Sequence, residues 1–359
     1  MLLVRAIHFG ATIVGGGAFA FLFFAARVAS HAEEVQAARA EVERSLRRLI
    51  GWSLVVALLS WLAWLGLVSA NMSGRPLSQA LATEIVSTVL TRTTFGQVWL
   101  VRLVLMVLLA GELLLSHRRA RAVIQGLRPA GAALAGCLLV TLAWSGHAVG
   151  TERSTRMLHL ATDGAHLLAA GLWLGALVPL LYVLGRARTP GPSGWTALAA
   201  AATQRFSTLG VVAITTLLVT GIVNTWFLVG SVPALVETAY GQLLSLKIAL
   251  FGAIVSIAAV NRLRLRPRLV ASADSGNAPR RAVDPLWRNV IAEICLGACV
   301  LLIVGALGVM HPPFQMRFPV QPHMHGARAV PGSAASIPLD GIADPPLGHF
   351  AAGLIFGGR

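Results

Sequence analysis

Residues 158–184 read LHLATDGAHLLAAGLWLGALVPLLYVL, and this stretch decides the fold class. Its only charged side chain is Asp163. An α-helix rises about 1.5 Å per residue, so about 20 apolar residues cross a hydrocarbon core of roughly 30 Å. Because backbone polar groups inside a bilayer must be satisfied within the protein, the stretch predicts a membrane-spanning helix.

Similar apolar blocks lie on both sides of this stretch. With it they predict eight spans, near residues 3–29, 49–70, 96–115, 130–150, 158–184, 206–229, 242–261 and 289–310. The composition agrees, because 56% of the residues are hydrophobic and 12% are charged, against about 25% charged in soluble domains. We therefore expect an all-α polytopic membrane helical bundle. Residues 1–313 form the eight-helix transmembrane domain, and residues 314–359 form a largely irregular periplasmic tail that contains His, Met, Pro and Gly.

The basic residues predict the orientation of the bundle. Of 29 Lys and Arg residues, 19 fall in the loops after the odd-numbered spans and 8 on the opposite side. Short loops rich in Arg stay in the cytoplasm, so both termini are expected in the periplasm. The same distribution explains the net charge of +15 by contact with the lipid bilayer and without a nucleic acid partner.

Ionisable residues inside spans are costly and usually mark a functional site. His159, Asp163 and His166 are spaced i, i+4 and i+7, so their side chains share one face of a helix. His8 and His147 belong to other spans at a comparable depth in the outer half. Imidazole suits copper, zinc or iron, and a carboxylate can orient a ring. These five residues predict a metal site or a proton relay; otherwise they are separate interhelical hydrogen-bonding groups.

We call the three residues His159, Asp163 and His166 the stripe. Soft ligands also occur elsewhere in the sequence. The run His323-Met324-His325 in the outer tail is either a copper-loading site or an incidental part of a solvated tail. Three cysteines inside spans form either a copper relay or small-residue helix contacts: Cys137, Cys295 and Cys299. Arg102 and Lys247, near outer ends of spans, are expected to snorkel or to pair with Asp163 or Glu237.

The sequence contains no P-loop, GxSxG or HExxH motif, so we do not expect an enzyme. Several segments in combination do resemble the copper resistance protein D family (CopD/PcoD). They are Ser145–His147, Leu158–His159, Asp163–Ala170, Leu172–Leu177, Phe206–Leu209, Thr238–Lys247, Asn261–Arg262 and Arg266–Pro267. The resemblance covers about residues 1–313.

This resemblance implies a bacterial inner-membrane protein that handles copper, as Cu(I) or Cu(II), and moves it from the periplasm toward the cytoplasm. It also implies a periplasmic copper-binding protein of the CopC type as a partner. Some relatives carry a fused outer copper-binding β-domain that this chain lacks, so the tail has no family counterpart for its ligands.

Two other functions fit the same residues. Paired histidines on facing membrane helices also hold b-type haem, which would make the protein an electron carrier. A non-transporting copper-binding or sensing subunit is the third alternative. An absorption spectrum of the purified protein separates haem from copper handling.

Overall fold

The computed structural model describes residues 1–25, 32–118, 121–145, 153–189, 194–275, 279–310 and 312–313. Regular structure in these ranges is helical. The α-helices are α1 (Leu2–Ala20), α2 (Glu33–Ser73), α3 (Leu77–Ala80), α4 (Thr83–Arg92), α5 (Thr94–Arg118), α6 (Arg121–Val140), α7 (Arg153–Ala170), α8 (Ala176–Arg188), α9 (Gly194–Val229), α10 (Val232–Glu237), α11 (Ala239–Val260), α12 (Arg266–Ser275) and α13 (Pro279–Leu307). Single π-helical turns extend α1, α7 and α11, at Phe21–Ala25, Gly171–Gly175 and Asn261–Leu265.

Within the described ranges, seven helical segments are long and apolar enough to cross a membrane. They are Leu2–Phe23, Glu33–Ser73, Thr94–Leu115, Thr155–Arg188, Gly194–Val229, Ala239–Ala273 and Arg281–Leu307. The predicted fourth span corresponds to the shorter apolar helix Pro129–Ser145, and its residues 146–150 lie outside the described ranges. The all-α multi-pass bundle is thus confirmed. The count of eight spans, the boundary at residue 313 and the periplasmic termini stay predictions.

Two large apolar clusters hold the bundle together. One joins α8, α9 and α13 through side chains such as Leu180, Leu198 and Val290. The other joins α1, α2 and α5 through side chains such as Ile13, Trp64 and Trp99. Large apolar side chains on the opposite helix faces are exposed, as expected where helices meet lipid rather than water.

A glycine contact fixes α1 against the segment that joins α7 to α8. Gly17 of α1 packs backbone to backbone on Gly175, and a Cβ atom on either residue would collide with the main chain of the other helix. Small residues permit this close approach between membrane helices. Both segments run antiparallel to α13, since Arg5 and Gly10 meet Gly308 and Leu301, and Leu174 and Gly185 meet Gly297 and Trp287. The two segments therefore run in the same direction. His8 precedes Gly17 by nine residues and His166 precedes Gly175 by nine, so the two histidines lie at similar depth.

Candidate metal centre

The predicted stripe lies on α7, which packs along α9. His159 is 6 residues and His166 is 13 residues from the first residue of α7, which places them roughly 9 and 20 Å along the helix. His159 is buried, and its ring stacks on Phe227 with centroids 4.8 Å apart and planes at 15°. The stripe therefore faces α9 inside the bundle.

His166 is held in one tautomer by a hydroxyl group of α9. Its Nδ1 atom lies 2.9 Å from Oγ1 of Thr220. The single hydroxyl hydrogen of Thr220 is donated to the carbonyl oxygen of Thr216 at 2.6 Å. Oγ1 must then accept from His166, so Nδ1 carries the ring hydrogen and Nε2 keeps its lone pair. This is the arrangement that metal-binding histidines use.

Asp163 is oriented by a second polar pair from the same helices. The hydroxyl of Thr162 lies 2.9 Å from Oδ1 of Asn224 and 3.0 Å from two carbonyl oxygens of its own helix, and the other amide atom of Asn224 is Nδ2. That Nδ2 group donates to Oδ1 of Asp163 at 3.4 Å. One carboxylate oxygen is thus engaged, and Oδ2 accepts no hydrogen bond from the residues that the structure describes.

Lys247 of α11 contributes a positive charge to the same region. Its field acts on both Asp163 and His166. The charges of Asp163 and Lys247 attract each other, but no hydrogen bond or salt bridge joins the two side chains in the described structure, so their pairing stays a prediction. A metal cation at the stripe would compete with Lys247 for the charge of Asp163.

His8 occupies a separate polar pocket formed by α1, α2 and α5. Its Nδ1 lies 3.1 Å from the carbonyl oxygen of Ala57 and 3.1 Å from Oγ of Ser60. A carbonyl oxygen only accepts, so Nδ1 carries the hydrogen and Nε2 of this ring also keeps its lone pair. The ring lies between Trp64, edge-on at 5.7 Å, and Trp99, stacked at 6.1 Å.

Two buried arginines border the His8 pocket. Arg5 donates to the carbonyl oxygen of Ser145 at 3.1 Å, and Arg102 donates through Nε to Oγ1 of Thr141 at 3.1 Å. Arg102 has no exposed surface, so the expectation that it snorkels or pairs with Asp163 or Glu237 is wrong. The Arg102 side chain instead lies beside Thr141, the residue after α6, with its guanidinium carbon 5.8 Å from the ring centroid of Trp99. Its charge acts on His8 and opposes a cation there.

The predicted site residues thus fall into two groups at similar depth. His159, Asp163 and His166 share the interface with α9, whereas His8 lies among the tryptophans of α2 and α5. Within the part of the chain that the structure describes, no group of three or more His, Cys, Asp or Glu side chains is close enough to hold a metal ion. The remaining predicted ligands, His147, His323, Met324 and His325, lie outside the described residues.

Other ionisable and soft side chains in the spans occupy distinct places. Cys137, Cys295 and Cys299 are all free and exposed on the surface of the described bundle, so none of them is buried in its core. Glu293, near the predicted inner end of α13, is buried and accepts a hydrogen bond from Nδ2 of Asn261 at 2.6 Å. Because Asn289 donates to Oδ1 of Asn261 at 2.7 Å, Glu293 belongs to a partly buried network with two amide side chains.

Sequence reasoning missed the α9 side of the site. Thr216, Thr220 and Asn224 are spaced i, i+4 and i+8 in the predicted span 206–229, which contains no charged side chain. This spacing places the three polar side chains on one helix face, and it could have been recognised in the sequence. Their pairing with α7, in contrast, depends on which helices pack together.

Comparison with known proteins gives matches over most of the chain. A family model described as copper resistance protein D matches residues 200–307, and a model described as the copper resistance protein D-like N-terminal domain matches residues 1–157. The α7 stripe lies between these two ranges. No solved structure matches the chain.

Three curated relatives are similar to the chain. Copper resistance protein D of Pseudomonas syringae pv. tomato is 30% identical over 271 residues, which cover 75% of this chain and 85% of the relative. Inner membrane protein YebZ of Escherichia coli (strain K12) is 31% identical over 261 residues, 73% of this chain and 82% of the relative. Copper transport protein CutJ of Bacillus subtilis (strain 168) is 27% identical over 274 residues, 76% of this chain and 47% of the relative.

Proposed function

Because this chain belongs to the copper resistance protein D family, we propose that it transports copper across the bacterial inner membrane, from the periplasm toward the cytoplasm. The names of two relatives, copper resistance protein D and copper transport protein CutJ, support copper as the cargo. The name of a third, inner membrane protein YebZ, and the seven apolar helices support the location.

We assign the copper-binding step to His159, Asp163 and His166. The observation that carries this assignment is the hydrogen bond between His166 and Thr220, because it leaves Nε2 with a free lone pair inside an apolar bundle. Imidazole nitrogen binds Cu(I) as well as Cu(II). The carboxylate of Asp163 supplies negative charge that would offset the cation in a medium of low dielectric constant.

Copper would reach these three residues from the periplasmic side of the membrane. In the topology predicted from the arginines, α7 begins in the periplasm, so His159 is reached before Asp163 and His166. His147, which lies outside the described residues, would add a further ligand, and the tail residues His323, Met324 and His325 would raise the local copper concentration. His8 lies in its separate pocket and is not part of this ligand set. A periplasmic protein of the CopC type would deliver the metal to this face.

Transport is tested in proteoliposomes that contain a copper-sensitive dye. The double variant His159→Ala, His166→Ala is expected to lose uptake, and His117→Ala, at the opposite end of α5 from the predicted outer side, is expected to keep it. Wild-type uptake by the double variant would contradict the site assignment. Absence of uptake by the wild-type protein, with copper still bound, would favour a copper-binding or sensing subunit.

The absorption spectrum of the same preparation tests the haem alternative. A Soret band with sharp bands on reduction would show bound haem and favour electron transfer over copper handling as the function. A preparation without these bands that binds copper in the wild-type form, and not in the double variant, supports the proposed site.

A further inference from the structure

A cavity of about 420 Å³ opens beside the stripe, between α9 and α11. Its volume lies in the range of roughly 300–1,000 Å³ that ligand pockets occupy. Most of its wall is apolar, and its rim includes Trp226 and Val232, whose side chains are 71% and 76% exposed. Trp226 lies within the span Gly194–Val229, so this part of the rim meets lipid and the cavity is open to the bilayer there.

The wall of this cavity carries few polar groups. Lys247 and His166 line it, and so does Ser231, whose buried Oγ has no hydrogen-bond partner among the described residues. An ammonium group has three donors. No described side chain or carbonyl accepts a hydrogen bond from Lys247, although the field of Asp163 acts on it. Lys247 is half-buried and lines the apolar cavity, and a donor in such surroundings requires an acceptor, so a ligand of this cavity should bring one.

The depth of Lys247 restricts the kind of acceptor. Lys247 is eight residues into α11, roughly 12 Å along the helix from its outer end. The charged headgroup of a phospholipid lies outside the hydrocarbon core and would have to be buried to reach this ammonium. A neutral carbonyl group on a molecule that dissolves in the bilayer meets Lys247 without that cost.

Part of the cavity wall suits a flat ring. Trp173 and Phe251 line it, with their rings perpendicular and their centroids 6.1 Å apart. Aromatic side chains favour stacked or edge-to-face contacts with another ring. The remaining wall, including Ile222 and Leu244, is aliphatic and suits a hydrocarbon chain that leaves toward the lipid.

We propose that the cavity between α9 and α11 binds an isoprenoid quinone, with a ring carbonyl on the ammonium of Lys247, the ring against Trp173 and Phe251, and the chain leaving past Trp226. The proposal concerns binding alone and does not depend on copper, so it stands or fails separately from the transport function.

Titration of the protein in nanodiscs with decylubiquinone tests the proposal, with bound quinone counted by native mass spectrometry. The wild-type protein is expected to bind one quinone per chain in a saturable manner. Thr225→Phe fills the cavity, and its lost hydroxyl bonds only the Gly221 carbonyl of its own helix, so the variant should fold and lose binding. Val212→Phe, on the exposed face of α9 away from the cavity, is the matched control and should bind as the wild type does.

Lys247→Met tests the proposed acceptor contact. It keeps the length of the side chain and removes the donors, so quinone affinity should fall roughly tenfold or more, as for a lost hydrogen bond to a charged group. Non-saturable binding, or equal binding by Thr225→Phe and Val212→Phe, would overturn the proposal. A phospholipid adduct that Thr225→Phe removes, in place of quinone, would also overturn it.

Discussion

Substitution of Thr220 tests whether the hydroxyl of α9 prepares His166 for copper. Thr220→Val keeps the shape of the side chain and removes the oxygen that lies 2.9 Å from Nδ1 of His166. The ring then loses the partner that fixes its tautomer and orientation. Loss of such a partner weakens metal binding roughly 10–100-fold, or about 1.4 kcal/mol for each factor of ten.

The matched control is Thr220→Ser, which keeps a hydroxyl able to accept from Nδ1 and to donate to Thr216. Copper affinity is measured by competition with a chromophoric chelator at one pH for the wild type and both variants. The serine variant should stay within about threefold of the wild type, well below the effect expected for valine. Equal affinity of the valine and serine variants would refute the role of Thr220. The valine variant should also be less stable to heat, because a buried N–H without a partner costs about 1–3 kcal/mol.

The remaining predictions concern charge, packing and topology. Asp163→Asn keeps the shape of the side chain and should weaken copper binding roughly 10–100-fold, measured by the same competition, whereas an unchanged affinity would exclude the carboxylate from the site. Gly17→Ala should destabilise the bundle by about 1–3 kcal/mol in thermal unfolding, and Gly111→Ala, where a Cβ meets no atom within 4 Å, should not destabilise it. A reporter active only in the periplasm should give signal when fused to Arg359; a silent reporter there would reverse the topology. Deletion of residues 320–359 should leave folding intact and reduce copper uptake only at low external copper, whereas loss of the folded protein would make the tail structural.

The bundle itself was predictable because each long apolar block carries its own signal. Residues 158–184 specify a spanning helix without reference to any other part of the chain, and the structure has a continuous helical segment there, Thr155–Arg188. The α7 stripe was predictable for the same reason, since the spacing of His159, Asp163 and His166 on one helix does not depend on its neighbours.

What could not be predicted depends on which helices touch. The partners of the stripe, Thr220 and Asn224, become relevant only once α7 packs on α9. The position of Arg102, buried between Thr141 and Trp99 and not in reach of Asp163, follows from the packing of α5 against α6. A sequence gives the depth of a residue in the membrane but not the side of the bundle that it occupies.

The glycine contact between α1 and the end of α7 has a mechanical consequence. Because Gly17 and Gly175 touch through their main chains, a side chain at either position would force the two helices apart. We therefore expect α1 and the segment that joins α7 to α8 to move as one rigid unit that includes His8 and His166. Movement of α9 or α11 against this unit would open the interface that holds the stripe and the cavity.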